Sequence, residues 1–109
     1  MRSTVSDALK KLANQPGALF TKVMERGSMS VEIYRPVAID NQTPHLQDEL
    51  YVIISGSGDF FVSGDRFPFQ PGDILFAPAG AEHRFENFTG DFATWVIFYG
   101  PSGGEGEKS

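Results

Sequence analysis

The chain has 109 residues, a net charge of −5, two histidines and no cysteine. This length predicts one domain, and the lack of cysteine excludes a disulfide scaffold, a thiolate metal site and a cysteine nucleophile. The acidic balance, with scattered Lys and Arg, argues against a nucleic-acid partner, and no apolar run approaches the roughly 18 residues of a membrane span.

The first segment, residues 1–17, predicts one short helix over residues 4–13. Its apolar positions recur three and four residues apart on one stripe: Val5, Ala8, Leu9 and Leu12. Thr4 is a capping residue, and the Pro and Gly of residues 14–17 end the helix. The segment lacks the apolar core of a signal peptide, and the absence of cysteine is compatible with a reducing cytosol, so we expect a cytoplasmic protein.

From residue 18 the hydrophobic period changes to two, and short strands alternate with turns rich in Gly, Pro and Asp. The predicted strands cover residues 19–25, 29–35, 50–54, 60–62, 74–77, 83–88 and 93–99. Turns at such regular short spacing, without a long helix between them, are typical of an all-β sandwich or barrel. We expect the barrel over residues 18–100, followed by a disordered tail over residues 101–109.

The first histidine lies four residues before an acid. On a straight strand His45 and Glu49 would be roughly 13 Å apart, too far to hold one metal ion. A turn through residues 46–48 would instead allow the two side chains to converge. Asp48 suits such a turn, and Pro44 restricts the approach to it.

The second histidine lies in a longer pattern, Gly72-x5-Pro78-x-Gly80-x2-His83-x3-Asn87. The proline removes a ladder donor and the glycine permits a positive φ, so the strand must break before extended structure resumes at His83. At every fixed position this pattern resembles the second conserved motif of the cupins.

The first stretch is similar to the other cupin motif. Glu49-x6-Gly56 resembles its end, and His45 lies where its second histidine belongs. The resemblance covers about residues 18–100 and identifies the chain as a small single-domain cupin. It implies an antiparallel jelly-roll barrel.

The resemblance also implies a divalent metal ion inside the barrel, with His45, Glu49 and His83 as ligands. The first histidine of the family motif corresponds to Thr43 here, which leaves two imidazoles and one carboxylate, as in the facial triad of non-haem iron enzymes. Thr43 could hydrogen-bond a coordinated water, and Gln47 could add an oxygen ligand. Such ligands suit iron, manganese, nickel, zinc or copper.

Candidate pocket residues come from strands near the two motifs, because ligand cavities are largely apolar with few polar anchors. They are Tyr34, Arg35, Phe76, Phe85 and Trp95. Arg35 could anchor a carboxylate or phosphate of a small ligand.

Three functions stay open at this point. The first is oxygenase- or isomerase-type chemistry on a small oxygen-rich compound, with no catalytic side chain identified beyond the metal ligands. The second is non-catalytic binding or sensing of a small molecule, and the third is a structural cupin without metal. Small cupins commonly pair through edge strands, so we expect a homodimer.

Overall fold

The computed structural model describes residues 1–106 and contains one helix and eight strands in that range. The elements in chain order are α1 (Val5–Ala13), β1 (Phe20–Arg26), β2 (Met29–Tyr34), β3 (Asp48–Ser55), β4 (Gly58–Val62), β5 (Asp65–Phe69), β6 (Ile74–Ala77), β7 (His83–Glu86) and β8 (Ala93–Tyr99). No helix in this range is long and apolar enough to cross a membrane.

The strands form two antiparallel sheets that face each other. One sheet has the order β1-β2-β8-β3-β6 and the other the order β5-β4-β7. This confirms the predicted all-β jelly roll with a short N-terminal helix. Over the described residues no ladder joins the two sheets into a closed barrel.

The helix begins and packs as its sequence predicts. The Thr4 hydroxyl accepts a hydrogen bond from the Asp7 backbone N–H at 3.0 Å, which satisfies one free donor of the first turn. Ala8 and Leu12 are buried against Ile33 of β2. The helix therefore covers the outer face of the five-stranded sheet, and the inner face is left to the opposing sheet.

An aromatic core fills the space between the two sheets. It contains Tyr51, Phe60, Phe69, Phe85 and Phe92, together with smaller aliphatic side chains. The ring centroids of Tyr51 and Phe85, which come from opposite sheets, lie 4.9 Å apart in an edge-to-face arrangement. Glu49 and His83 precede these two residues by two positions on the same strand faces, so the core forms the floor beneath them.

The strand boundaries differ from the predicted ones mainly between β4 and β5. Gly58 and Asp59, predicted as a turn, belong to β4, and β5 was not predicted as a strand. A Cβ at position 58 would lie 2.8 Å from the Phe88 Cα, so this glycine allows a close backbone approach within a strand. Pro68 is tolerated in β5 because that strand is at a sheet edge.

The segment predicted as a disordered tail contacts the domain over the part that the structure describes. The Gly103 N–H donates to the Leu46 carbonyl at 2.7 Å, and the Glu105 N–H donates to the buried Asp48 carboxylate at 2.9 Å. Residues 101–106 are thus hydrogen-bonded to the start of β3, and residues 107–109 lie outside the described residues.

Candidate metal centre

Glu49 lies near the start of β3 on the inward face of the five-stranded sheet. It pairs with Ala77 of β6 on one side and with Phe98 of β8 on the other. Only 1% of its surface is exposed. A carboxylate in such a position needs compensating partners, since burial of an unpaired charge is costly.

His83 begins β7 in the opposite sheet, after the turn that contains Pro78 and Gly80. Gly80 has a φ of 78°, the left-handed region that glycine adopts without strain. The Ala79 N–H donates to the Asp48 carboxylate at 2.8 Å, which ties this turn to the start of β3. The His83 side chain contacts Glu49, and because β3 and β7 belong to different sheets this contact joins the two sheets.

His45 comes from the irregular segment between β2 and β3. Its carbonyl accepts a hydrogen bond from the Gly80 N–H at 2.8 Å, so both histidine-bearing segments are attached to each other. The imidazole packs edge-on against the Phe98 ring, with centroids 5.0 Å apart. The chain bends before β3 as predicted, and His45 and Glu49 converge.

The three side chains form one compact cluster. Glu49 Oε1 lies 2.5 Å from His83 Nε2 and 3.2 Å from His45 Nδ1. One ligand atom from each residue lies within 4.8 Å of the other two. The side chains of Glu49 and His83 are 1% exposed, whereas that of His45 is 36% exposed. Access to the cluster is therefore from the His45 side.

The hydrogen bonding of His83 leaves its Nε2 facing two oxygen atoms. Nδ1 lies 2.9 Å from the Ala81 carbonyl, which only accepts, so Nδ1 carries the proton. Nε2 then faces two oxygens, Glu49 Oε1 and Gln42 Oε1, the latter at 3.3 Å. A neutral imidazole with its proton on Nδ1 would direct a lone pair at both, so the arrangement needs a proton or a metal ion between Nε2 and these oxygens.

A second observation concerns the other oxygen of the same carboxylate. Glu49 Oε2 is buried and has no hydrogen-bond partner among the residues that the structure describes. Buried polar atoms are rarely left in this state, and a metal ligand is one explanation of it. The donors are two imidazole nitrogens and one carboxylate, a set that fits a divalent transition metal.

The pKa values of Glu49 and His83 are shifted in opposite directions by their contact with each other. Burial raises the pKa of Glu49, but hydrogen bonds with His45 and His83 outweigh burial, and the pKa lies below 4.5. Burial lowers the pKa of His83, yet hydrogen bonds to Glu49 and to the Ala81 carbonyl dominate and raise it above 6.5. Without a metal, the cluster therefore favours a carboxylate beside an imidazolium.

Sequence reasoning did not identify a polar network beside the cluster. The buried Asp40 carboxylate accepts hydrogen bonds from the Tyr34 hydroxyl at 2.5 Å, the Gln42 amide at 2.7 Å and the Phe85 N–H at 2.7 Å. The Tyr51 hydroxyl donates to Gln42 Oε1 at 3.1 Å. Asp40 and Gln42 lie in a segment without periodicity, so no sequence pattern indicates which way they point.

A cavity of about 610 Å³ adjoins the cluster and contacts His45. Strand β2 contributes Glu32 and Tyr34, which face inward because Ile33 between them is buried under the helix. The wall of the cavity combines polar groups with apolar side chains: Glu32, Tyr34, Asn41, Gln42, Thr43, Leu19, Phe20 and Phe98. Burial raises the pKa of the Glu32 carboxyl above its ordinary value.

The structure separates the predicted pocket residues. Tyr34 lines the cavity beside His45, but Arg35 lines a different depression near the helix. Phe85 is 2% exposed and belongs to the core, and Phe76 is 45% exposed on the opposite face of β6 from the core residue Ala77. Trp95 packs on the helix side of the sheet.

Thr43 and Gln47, the two additional groups predicted at the metal site, lie in different parts of the structure. Thr43 is exposed and lines the cavity, where it can meet a ligand. The Gln47 amide instead donates to the carbonyls of Ser28 and Gly100, both at 2.9 Å. The oxygen donor beside His83 is thus Gln42, not Gln47.

Comparisons with known proteins agree with this architecture. The family profile described as a cupin domain matches residues 30–99. An uncharacterized protein of Streptomyces coelicolor is 34% identical over 91 residues, which cover 82% of this chain and 86% of the relative.

Solved structures of similar fold include two further bacterial proteins. A cupin-2 domain containing protein from Shewanella frigidimarina has a TM-score of 0.68 at 15% identity, covering 89% of this chain and 93% of its own. A Ralstonia eutropha protein, provisionally assigned as a mannose-6-phosphate isomerase, has a TM-score of 0.63 at 27% identity, covering 76% and 86%. With the profile matching well over half of its length, the chain belongs to the cupin family.

Proposed function

We propose that this cupin binds one divalent metal ion through His45, Glu49 and His83, and that the adjoining cavity takes a small oxygen-bearing compound. The buried Glu49 carboxylate carries this proposal, because one of its oxygens lacks a partner within residues 1–106 and the other faces two imidazole nitrogens. A bound ion would act as a Lewis acid towards an oxygen atom of the ligand.

Each of the three side chains has a distinct part in this site. Glu49 provides the negative charge, and its burial keeps competing water away from it. His83 is oriented by the Ala81 carbonyl, which also fixes the tautomer with Nε2 free to bind the ion. His45, the most exposed of the three, lies where the cluster meets the cavity.

The charge of the cavity wall indicates the class of ligand. Its polar groups are a carboxyl, a phenol, amides and a hydroxyl, and no Lys or Arg is among the described lining residues. Phosphate recognition in proteins relies on cations or on helix N-termini. We therefore propose a neutral compound with hydroxyl or carbonyl groups, rather than a phosphorylated one such as the name of the Ralstonia protein implies.

Of the two predicted reaction types, oxygenase and isomerase, Glu32 favours the isomerase type. Its carboxyl is half-buried in the cavity wall, where burial raises its pKa, and a carboxyl that faces a ligand cavity can act as a general acid or base. A ligand held by the metal at a carbonyl oxygen would place an acidic C–H in the same cavity. In a hydroxy aldehyde or hydroxy ketone, Glu32 would take up that proton and return it to the former carbonyl carbon, while the hydroxyl proton moves to the former carbonyl oxygen, so that the carbonyl and hydroxyl groups exchange places.

A metal analysis tests the binding proposal. The protein is stripped with a chelator, reloaded in turn with Mn²⁺, Co²⁺, Ni²⁺ and Zn²⁺, dialysed and measured by elemental analysis. We expect about one ion per chain in the unmodified protein and in the control Glu86→Ala, and none in Glu49→Ala or His83→Ala. Retention of no ion by the unmodified protein, or equal retention by Glu49→Ala, would overturn the proposal.

A binding panel tests the ligand class on the metal-loaded protein. Calorimetry compares neutral sugars and hydroxy ketones with their phosphate esters. We expect measurable binding of neutral compounds and weaker binding of the esters, because a phosphate would face the Glu32 carboxyl with no Lys or Arg among the described lining residues to balance its charge. Preference for the esters would contradict this assignment.

The homodimer and the cytoplasmic location remain predictions. Apolar side chains of the edge strands β5 and β6 are exposed, with Ile74 at 68% and Phe67 at 48%. Such a surface is compatible with pairing of two copies. Light scattering of the purified protein would give its oligomeric state.

A further inference from the structure

We infer that Gln42 provides a fourth protein ligand to the metal ion, through its amide oxygen Oε1. This inference rests on the proposed function, since it requires an ion at His45, Glu49 and His83. It adds a residue from the irregular segment before β3, outside both sequence patterns that contain the other three ligands.

The position of the amide oxygen supports this role. Gln42 Oε1 lies 3.3 Å from His83 Nε2, the nitrogen that also contacts Glu49 Oε1. The oxygen also accepts a hydrogen bond from the Tyr51 hydroxyl at 3.1 Å, which increases the negative charge on it. Two oxygens from different segments thus approach one histidine nitrogen, as they would around a shared cation.

The orientation of the amide is fixed by its other end. Gln42 Nε2 donates to Asp40 Oδ2 at 2.7 Å, and Asp40 is 5% exposed. The same carboxylate is held by the Phe85 N–H at 2.7 Å and by the Tyr34 hydroxyl. If the amide were flipped, its oxygen would face a carboxylate oxygen. Asp40 therefore keeps the Gln42 oxygen directed at the cluster.

A neutral oxygen donor also suits the electrostatics of the site. Two imidazoles and one carboxylate leave a net charge of about +1 around a divalent ion, which an amide oxygen does not alter. The set becomes two nitrogens and two oxygens, and carbonyl oxygen suits manganese better than zinc or copper. Mn²⁺ is therefore a suitable probe ion.

The test measures Mn²⁺ binding and the number of waters on the bound ion. Gln42→Met keeps the length of the side chain and removes its oxygen, and Gln47→Met is the matched control in the same segment. We expect Gln42→Met to bind Mn²⁺ about 10- to 100-fold more weakly by calorimetry, a range typical of lost supporting groups. Broadening of the Mn²⁺ paramagnetic resonance in ¹⁷O water should show one additional bound water.

The outcomes separate this inference from the proposed function. If the unmodified protein binds no Mn²⁺ or other ion, the proposed function fails and the inference fails with it. If it binds Mn²⁺ and Gln42→Met has the same affinity and the same number of waters, the inference alone is overturned. Weaker binding without an additional water would assign Gln42 a positioning role and also overturn direct ligation.

A second variant keeps the test decisive if Gln42→Met does not fold by circular dichroism. Gln42→Asn retains the amide and shortens the side chain by one methylene, so that its oxygen cannot reach the ion while its nitrogen is still polar. We expect the same loss of Mn²⁺ affinity and the same additional water. An unchanged affinity in this variant would overturn the inference.

Discussion

Two carboxylate clusters in this domain resemble each other in composition and differ in their cations. On the outer face of the three-stranded sheet, Glu86 accepts hydrogen bonds from Arg66 at 2.8 Å and from Arg84 at 2.9 Å. Inside the molecule, Glu49 faces His45 and His83. Guanidinium groups carry a permanent charge, whereas an imidazole is charged only when it is protonated.

The two clusters also differ in how the carboxylate oxygens are used, since both histidines contact Glu49 Oε1 whereas Arg66 and Arg84 contact different oxygens of Glu86. Hydrogen bonds from Arg66 and Arg84 lower the pKa of Glu86, and both of its oxygens are occupied. Glu49 has one oxygen without a partner among the residues that the structure describes, although it is by far the more buried of the two acids. The outer cluster is a surface ion-pair network, and the inner one has the donors of a cation site.

The largest difference between the two clusters is expected in the rise of Tm that metal binding gives to the folded protein. At a free ion concentration of 100 times Kd, binding stabilises a folded protein by about 2.7 kcal/mol, which for a domain of this size raises Tm by roughly 10 °C or more. Scanning calorimetry should show this rise in the unmodified protein and in Glu86→Ala. It should be absent in Glu49→Ala, and an equal rise there would break the comparison.

A change of pH is expected to have an intermediate effect, which is on the affinity of the inner cluster for metal. The pKa of His83 lies above 6.5, so its proton competes with the ion, and metal affinity should fall as the pH is lowered through that titration. Calorimetry between pH 6 and 8 in buffers of different ionisation enthalpy would show the accompanying proton release. An affinity that does not change over this range would contradict the role of His83.

The same two groups set the stability of the metal-free protein. The contribution of His83 is fully present below pH 6.5 and is lost as the pH rises through its raised pKa. The contribution of Glu49 is present above pH 4.5 and is lost as the pH falls through its lowered pKa. Urea unfolding should therefore give maximum stability between these limits, and Glu86→Ala should keep the shape of this profile.

The smallest effect is expected at the outer cluster. Arg66 and Arg84 are partly exposed, and ion pairs of this kind contribute little because solvent screens them. Glu86→Ala should lower Tm only slightly, and the difference from the unmodified protein should shrink further in 1 M salt. A large loss that salt does not reduce would show that the outer cluster is more than a surface network.

The sequence was sufficient for the parts of the molecule where periodicity or motif spacing determines geometry. Strand β8 was predicted with its observed bounds, and the motif histidines and Glu49 do converge. Alternation in β8 did not show which face points inward. The structure places Val96 and Phe98 inward and Trp95 under the helix, because the helix needs an apolar surface to cover.

The irregular segment before β3 could not be interpreted in the same way. Asp40 and Gln42 have no strand or helix period, so their side-chain directions depend on tertiary partners such as the Phe85 N–H and the Tyr51 hydroxyl. Sequence reasoning offered Gln47 as a candidate oxygen ligand, ranked below His45, Glu49 and His83. Its amide is hydrogen-bonded to Ser28 and Gly100 instead.

The most direct test of the metal centre is an anomalous difference map from crystals of the metal-loaded protein. We expect one peak within about 2.0–2.2 Å of a nitrogen of His45, a nitrogen of His83 and an oxygen of Glu49. A peak elsewhere on the chain, or none at this cluster in crystals that contain stoichiometric metal, would contradict the proposed metal centre.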